Sequence, residues 1–255
     1  MEPVKIIKIK KDSKETVEDW VAMEVPFTVN ALDKELATLL STPRHLEDLV
    51  RGFLFTSGLI NDVEDIETIS IDTRCWVADI KLNPLIQEKD MLFRKLYTSG
   101  CGGGVLLQNV LKNEESLKIS SDIRIRSVDI NRMMSDFQKR SEVFLKTGGT
   151  HSAALADCKD MLIFREDIGR HNAVDKVIGQ ALSQQIPFGD KIILTSGRVS
   201  TEIIFKMQKC QIPIIVSKSA PTGRAVRLAE NFGITLIGFA RGQRMNIYSG
   251  EERVE

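Results

Sequence analysis

The sequence lacks an excess of charge of either sign, because its 35 lysine and arginine residues are matched by 35 aspartate and glutamate residues. A chain with balanced charge has no overall field that would attract nucleic acid or an anionic membrane. It also has no apolar run long enough to span a bilayer, and residues 1–11 mix lysine with isoleucine instead of forming the apolar core of a signal peptide. We therefore expect a cytoplasmic protein that binds neither nucleic acid nor a membrane.

Cysteine is scarce, and the four cysteines have no spacing that is typical of a zinc site or a disulfide framework. This absence favours a reducing compartment and a protein without a tightly held metal of its own. Cys75 falls in a predicted strand, where we expect a buried structural thiol. Cys158 and Cys210 lie near the ends of predicted elements without basic neighbours that would activate them, so we expect them to be buried or inert.

Cys101 differs from the other cysteines because the segment Thr98-Ser99-Gly100-Cys101-Gly102-Gly103-Gly104 surrounds it with four glycines. Glycine reaches positive φ without steric cost and lets a ligand approach the backbone. The flanking N–H groups can favour a thiolate, which is the reactive form of cysteine. The segment predicts a mobile loop that delivers or receives a group through sulfur. These residues alone leave open a second interpretation, a flexible connector whose cysteine is incidental.

Apolar patterning divides the chain around a polar, weakly patterned stretch at 109–125. We predict an α+β protein with a mixed N-terminal strand and helix domain at 1–125, which ends with the Cys101 loop, and a second domain at 126–255. The first domain is predicted to contain a helix that begins at Pro43 with Thr42 as its N-cap. Its strands are predicted at 4–10, 20–29, 66–71 and 75–82.

The second half alternates short β-branched apolar runs with amphipathic helices, which indicates an α/β domain built from βα units on a mainly parallel sheet. Its first helix is predicted to be capped by Ser127 and to carry a core-facing stripe that ends at Phe137. Ligands of such sheets bind at the carboxyl ends of the strands. The predicted strands are 151–156, 161–165, 191–195, 212–216 and 234–239.

Three successive strands of this half end in segments rich in arginine, glycine and small hydroxyl residues. Backbone donors at a helix start, hydroxyls and guanidinium groups at one sheet edge suit a phosphorylated, nucleotide-like ligand. The alternative for each segment is ordinary turn chemistry with solvated charge, and none is a Walker A or G-x-G-x-x-G motif. The candidate residues are Thr195, Ser196, Gly197 and Arg198 in the first segment, Ser219, Thr222 and Arg224 in the second, and Phe239, Ala240, Arg241, Gly242, Gln243 and Arg244 in the third.

Two of the three histidines, His151 and His171, lie among glycine, hydroxyl and charged residues at element boundaries. The pattern leaves a structural role and a ligand-binding role equally open, and we count both residues as candidates for the site. His45 lies in the predicted first helix without such neighbours, and we expect it to be structural.

Four motifs together resemble the formate dehydrogenase accessory sulfurtransferase family, and the resemblance runs from Glu24-Val25-Pro26 to the C-terminal tail. It implies a C-terminal domain similar in fold to the cytidine deaminases. The zinc ligands of those enzymes are absent, because the sequence has no H-x-E followed by P-C-x-x-C. The motifs are Thr150-His151-Ser152-Ala153-Ala154, Glu166-Asp167-Ile168-Gly169-Arg170-His171-Asn172-Ala173-Val174-Asp175-Lys176, Thr195-Ser196-Gly197-Arg198 and Ser219-Ala220-Pro221-Thr222.

The resemblance implies sulfur transfer. Members of that family accept sulfur from a cysteine desulfurase as a persulfide and pass it to the molybdenum bis(molybdopterin guanine dinucleotide) cofactor before that cofactor enters formate dehydrogenase. Cys101 matches the persulfide position, and segment 239–244 matches the cofactor-binding segment of the family. The implied partners are the desulfurase, the catalytic subunit of formate dehydrogenase and the guanine-nucleotide-bearing cofactor, and a homodimer is left open.

The sequence departs from the family in one respect. Many members carry C-x-x-C in the glycine loop, whereas Gly104 stands here in place of the second cysteine. With one cysteine, the outgoing sulfur leaves by direct attack or with help from an external thiol. Gly104 also favours the competing interpretation, a binding protein that holds the guanine dinucleotide cofactor and hands it on without sulfur on Cys101.

Overall fold

The computed structural model describes residues 1–11, 13–84 and 118–255, together with the backbone of two short strands at 93–96 and 104–107. Helices and strands are mixed along the chain, which confirms the predicted α+β class. Within the described residues, no helix is both long and apolar enough to cross a membrane.

The N-terminal half begins with an antiparallel ribbon of β1 (Glu2–Lys10) and β2 (Ser13–Val21). A short antiparallel hairpin of β7 (Phe93–Leu96) and β8 (Gly104–Leu107) lies at its end. Between them lies helix α1 (Leu46–Thr56). A four-stranded sheet is built from β3 (Val25–Ala31), β4 (Lys34–Ser41), β5 (Ile66–Asp72) and β6 (Val77–Leu82) in the order β4-β3-β6-β5.

Two predictions for this half are wrong. The single strand predicted at 20–29 is two strands, because β2 ends at Val21 and β3 is separate. Cys75 is exposed in the turn between β5 and β6 instead of buried in a strand. The Asp72 carboxylate accepts a hydrogen bond from the Arg74 N–H at 2.9 Å, and this contact stabilises the turn that carries Cys75.

Helix α1 starts three residues later than its sequence pattern predicts. Its N-cap is His45, which has left-handed backbone dihedral angles (φ 56°), and its first residue is Leu46. Thr42 does not cap the helix, because its N–H and its hydroxyl both bond to Oδ2 of Asp167, at 3.0 and 3.1 Å. A long-range contact therefore overrides the local capping signal.

The C-terminal half contains one six-stranded sheet and five α-helices within the described residues. The helices are α2 (Ser127–Lys139), α3 (Glu142–Thr147), α4 (Arg170–Ser183), α5 (Thr201–Cys210) and α6 (Gly223–Phe232). The strands are β9 (His151–Ala156), β10 (Met161–Asp167), β11 (Ile192–Thr195), β12 (Ile214–Ser217), β13 (Thr235–Arg241) and β14 (Arg244–Ser249), in the order β10-β9-β11-β12-β13-β14.

The prediction of a mainly parallel sheet is wrong. Only the β11–β12 and β12–β13 pairings are parallel, and the other three are antiparallel. The connection from β9 to β10 spans residues 157–160, which is too short for a parallel crossover. A two-residue turn at Gly242 and Gln243 similarly makes β13 and β14 a hairpin, and β14 was not predicted.

The helix predicted to be capped by Ser127 begins at that residue, with Arg126 as its N-cap. Its apolar stripe is buried as predicted, from Ile130 to Phe137. Cys158 is half-buried, and Cys210 is buried as expected.

The two halves share an apolar core. Side chains of α1, such as Leu49 and Phe53, lie in the same buried cluster as Val177 of α4 and Ile204 of α5. The boundary at residue 125 and the likeness to cytidine deaminases stay predictions.

Candidate functional site

The carboxyl ends of three neighbouring strands meet at one edge of the six-stranded sheet. Thr195 at the end of β11 pairs with Ser217 at the end of β12, and β13 runs parallel beside them. His151, at the start of β9, lies opposite Asp167, at the end of β10, on the same side of the sheet. We call this region the strand-end edge. It brings together the three predicted segments and His151.

The first segment, at 195–198, is held against β9. Oγ of Ser196 accepts a hydrogen bond from the Ser152 N–H at 2.9 Å, and the Ser196 N–H donates to the Ser152 carbonyl at 3.0 Å. Gly197 has no room for a side chain, because an added Cβ would lie 2.7 Å from Cβ of Arg170. The glycine therefore permits the start of α4 to approach the end of β11.

The second segment, at 217–224, is tied to the first. Oγ of Ser217 donates to the Gly197 carbonyl at 2.7 Å and accepts from the Ser219 N–H at 2.9 Å. Thr222 caps α6, because its hydroxyl accepts from the Ala225 N–H at 3.3 Å. The first two segments thus form one hydrogen-bonded surface.

The third segment, at 239–244, is the end of the β13–β14 hairpin. Nε of Arg241 donates to the Lys218 carbonyl at 2.8 Å, and its guanidinium lies 6.0 Å from the ring centre of Phe239. Ala240 is fully buried, so its side chain belongs to the core. Residues Gly242, Gln243 and Arg244 are exposed.

Positive charge and helix starts converge at this edge. Arg198, Arg224 and Arg241 are exposed, and α4, α5 and α6 all begin here. The start of a helix carries partial positive charge and unpaired N–H groups, which favour an anion. The arrangement suits a ligand that carries phosphate groups.

The two candidate histidines lie at this edge and each contacts a serine. Nδ1 of His151 is 3.3 Å from Oγ of Ser196. Nε2 of His171 is 3.2 Å from Oγ of Ser200 and 3.4 Å from Oε2 of Glu202. Sequence patterns missed Ser200 and Glu202, because a serine and a glutamate at the start of an amphipathic helix are ordinary capping and surface residues.

Burial and nearby cations keep both histidines neutral. Burial is the main cause that lowers the pKa of His171, to about 3, and Lys206 and Arg170 lower it further. The pKa of His151 is lowered by burial and then by Arg170 and Arg198. Burial raises the pKa of Glu202.

The long motif at 166–176 serves mainly to join the two halves. Its Asp167 carboxylate bonds to Nζ of Lys176 at 2.6 Å and to Thr42, and all three side chains are buried. A second buried contact links Asp175 to Lys206 at 2.7 Å and to Thr56 of α1 at 2.8 Å. The most specific sequence motif is thus largely a structural feature beneath the site.

Glu166 of the same motif is also structural. Its carboxylate accepts hydrogen bonds from the N–H groups of Val143 and Phe144 at the start of α3, at 3.0 and 2.9 Å. It also accepts from the Thr150 hydroxyl at 3.1 Å. The contacts fix α3 beside β10.

Cys101 and residues 98–103 of the glycine loop predicted around it fall between β7 and β8, outside the described residues. Both predictions about that loop, its mobility and its role in carrying sulfur, stay predictions. The other predicted site residues are all within the described part of the chain.

These features define an α+β protein with a cationic, hydroxyl-rich strand-end edge. The chain belongs to the FdhD/NarQ family, whose model matches residues 22–255. It is 38% identical to the sulfur carrier protein FdhD of Listeria innocua, over 98% of this chain and 97% of that protein. It is 39% identical to the protein of the same name from Geobacillus kaustophilus, over 93% and 90% of the two chains.

The fold is also found in a solved structure. A candidate formate dehydrogenase accessory protein from Desulfotalea psychrophila superposes with a TM-score of 0.82, at 24% identity, over 100% of this chain and 99% of that one. At that identity the likeness shows the fold alone.

Proposed function

We propose that this protein is a sulfur carrier in the maturation of formate dehydrogenase. The observation that carries the proposal is membership of the FdhD/NarQ family over nearly the whole chain, together with relatives that bear the name of sulfur carrier protein. In the proposed step, the Cys101 thiolate attacks the outer sulfur of a persulfide on a cysteine desulfurase. A new S–S bond forms on Cys101, and the desulfurase leaves as a thiolate.

Two of the other three cysteines are poorer carriers. Burial raises the pKa of Cys210 far above its usual range. Burial also raises the pKa of Cys158, and its Sγ donates to the Arg124 carbonyl at 3.2 Å. A thiol with a raised pKa supplies little thiolate at neutral pH. Cys75 is exposed and lies in a turn of the first half, so it provides a matched control.

The cargo in this proposal is the molybdenum bis(molybdopterin guanine dinucleotide) cofactor, bound through a guanine nucleotide portion at the strand-end edge. The proposal is supported by three exposed arginines and three helix starts at one sheet edge. Arg241 and its neighbours at 239–244 also match the cofactor-binding segment that the family resemblance implies. The desulfurase, the formate dehydrogenase catalytic subunit and a second copy of this chain are the proposed protein partners.

A fold more specific than the α+β class can be proposed for the second half of the chain. We propose that residues 126–255 form a domain similar to the cytidine deaminases, without their zinc chemistry. A six-stranded sheet with three central parallel strands and helices α4 to α6 that begin at its strand-end edge supports this likeness.

Genetic complementation tests the proposed function. A bacterium that lacks its own protein of this family is expected to regain formate dehydrogenase activity with the wild-type chain and with Cys75→Ala, but not with Cys101→Ala. Full activity with Cys101→Ala at equal protein level would contradict sulfur transfer through Cys101. That result would favour the alternative, a protein that only binds and hands on the guanine dinucleotide cofactor.

A further inference from the structure

We infer that a second copy of this chain docks on the outward face of the β1–β2 ribbon, face to face about a two-fold axis that runs parallel to the strands. The second copy is already among the proposed partners, and the ribbon gives it a surface. Docking there depends on neither sulfur transfer nor nucleotide binding. The outward face consists of Pro3, Lys5, Ile7 and Ile9 of β1 and Lys14, Thr16, Glu18 and Trp20 of β2.

The register of the ribbon places these eight side chains on one face. Side chains alternate between the two faces along a strand, and residues opposite each other in an antiparallel pair share a face. The outward face therefore has four rows across the two strands, and all of its residues are exposed. The rows are Pro3 with Trp20, Lys5 with Glu18, Ile7 with Thr16, and Ile9 with Lys14.

Half of the residues on the outward face are apolar, although all of them meet solvent. Ile7, Ile9 and Trp20 are 58%, 69% and 43% exposed, and they are three of the eight large hydrophobic side chains that are exposed in the described part of the chain. On the opposite face, Ile6 and Val17 are half-buried. A cluster of exposed apolar side chains marks an interaction surface.

The edge of the ribbon is protected against a second copy, which leaves the face as the contact. β1 and β2 form a two-stranded sheet, so the outer edge of β1 has no strand partner among the described residues. β1 carries lysines at positions 5, 8 and 10, and edge pairing of two such strands would bring like charges together. Lysine on an edge strand commonly prevents that kind of pairing.

The outward face is complementary to itself in charge. β1 carries three lysines and one glutamate, whereas β2 carries three carboxylates and one lysine. A two-fold axis parallel to the strands sets β1 of one copy over β2 of the other and keeps the four rows in line. Lys5 then lies over the partner's Glu18, and Glu18 lies over the partner's Lys5. Opposite charges that meet in this way select both the partner and its register.

The other rows fit the same arrangement. Pro3 lies over the partner's Trp20, and Ile7 lies over the methyl group of the partner's Thr16. Ile9 lies over the aliphatic stem of the partner's Lys14, whose ammonium group stays in water. Every row of the face thus meets a side chain of matching chemistry, and the contact is isologous, as a two-fold dimer requires.

Charge reversal on the two faces of β1 tests the docking surface by sedimentation velocity. The wild-type chain is expected to form a dimer, and Lys5→Glu should weaken it roughly 10- to 100-fold, because two pairs of like charges then meet. Lys8→Glu is the matched control, because Lys8 is opposite Glu15 on the other face. It makes the same charge change and disturbs the same kind of cross-strand pair, but it should leave the dimer intact.

A mixture of two variants tests the two-fold arrangement. Glu18→Lys should weaken its own dimer as Lys5→Glu does. In the Lys5–Glu18 row, Lys5→Glu presents two negative charges and Glu18→Lys presents two positive charges, so the two variants are expected to form a mixed dimer. The double variant Lys5→Glu/Glu18→Lys should recover the dimerisation of the wild-type chain.

Each of four results would overturn the docking surface. If Lys5→Glu and Glu18→Lys dimerise as the wild-type chain does, the second copy docks elsewhere. If Lys8→Glu weakens the dimer as much as Lys5→Glu does, the ribbon acts through its folding and not through its outward face. If the two variants stay monomeric when mixed, the two-fold arrangement is wrong. A wild-type chain that is monomeric throughout would also remove the second copy as a partner, and would leave sulfur transfer and nucleotide binding standing.

Discussion

Gly52 of α1 and Gly179 of α4 lie against each other where the two helices cross. A Cβ added to Gly179 would lie 1.8 Å from the Asp48 carbonyl oxygen and 2.7 Å from the Gly52 nitrogen. A Cβ added to Gly52 would lie 1.8 Å from the Asp175 carbonyl oxygen. The backbones therefore touch at this crossing, and α1 lies close enough for Thr56 to reach the buried Asp175 and Lys206 pair.

Gly179→Ala is expected to destabilise the protein by about 3 kcal/mol, because the new methyl group must push two helix backbones apart in a packed core. Urea unfolding measures the change. Gly189→Ala is the matched control, since a Cβ there meets no atom within 4 Å, and it should change the free energy of unfolding by less than about 0.5 kcal/mol. Equal stability of the two variants would contradict the close crossing.

The stability of the fold is expected to fall with acid partly through His171. Its pKa of about 3 in the folded protein is below the value of about 6.5 in the unfolded chain. Between these pH values the unfolded state binds a proton that the folded state does not. The free energy of unfolding should therefore decrease by about 1.4 kcal/mol per pH unit as the pH falls from 6.5 toward 3.

His171→Gln should remove this contribution and give a shallower decline over the same range. His45→Asn is the comparison. Burial also lowers the pKa of His45, but its side chain is about half exposed, so this replacement should change the slope less than His171→Gln does. Chemical unfolding at a series of pH values measures both. Identical slopes for the wild-type chain and His171→Gln would contradict a neutral, buried His171.

Sequence patterns predicted the parts of the fold that depend on local spacing. The buried stripe of α2 from Ile130 to Phe137 and the three strand-end segments follow from periodicity and turn residues. Long-range contacts explain the features of the fold that sequence patterns do not predict. The local sequence predicts Thr42 as a helix cap, but Thr42 bonds instead to Asp167, which is 125 residues away in the chain.

In the candidate site, too, some residues can be predicted from the local sequence and others depend on long-range contacts. The arginines and hydroxyls of the strand ends can be identified as candidates from the local sequence. The partners of His171 cannot, because they depend on how α4 and α5 begin side by side. Glu202 has no local pattern that distinguishes it from a surface glutamate. Asp167, Asp175 and Lys176 belong to a motif that carries the family resemblance, and their buried contacts show that they join the two halves.

Separate alanine variants of Arg198, Arg224 and Arg241 test the proposed ligand site. A charge-assisted hydrogen bond to a phosphate contributes about 1.5–3 kcal/mol, so loss of an arginine that contacts phosphate should weaken GDP binding roughly ten- to a hundredfold. The fold should survive, because all three residues are exposed. Calorimetry with GDP measures the affinity.

Arg74→Ala is the charge-matched control for these variants. Arg74 is exposed in the turn between β5 and β6 and pairs with Asp72, so its loss should leave GDP affinity unchanged. Unchanged affinity in all three strand-end variants would remove the nucleotide from the strand-end edge. The proposed sulfur-carrier role of Cys101 would then no longer include a nucleotide site at the strand-end edge.

The central claim is that Cys101 carries sulfur, and intact-mass analysis after incubation with a cysteine desulfurase and cysteine tests it most directly. The wild-type chain and Cys75→Ala are expected to gain the mass of one sulfur atom, which reductant removes, and Cys101→Ala is expected to gain none. Loading of Cys101→Ala to the wild-type level, or sulfur found only on Cys75, Cys158 or Cys210, would contradict the claim.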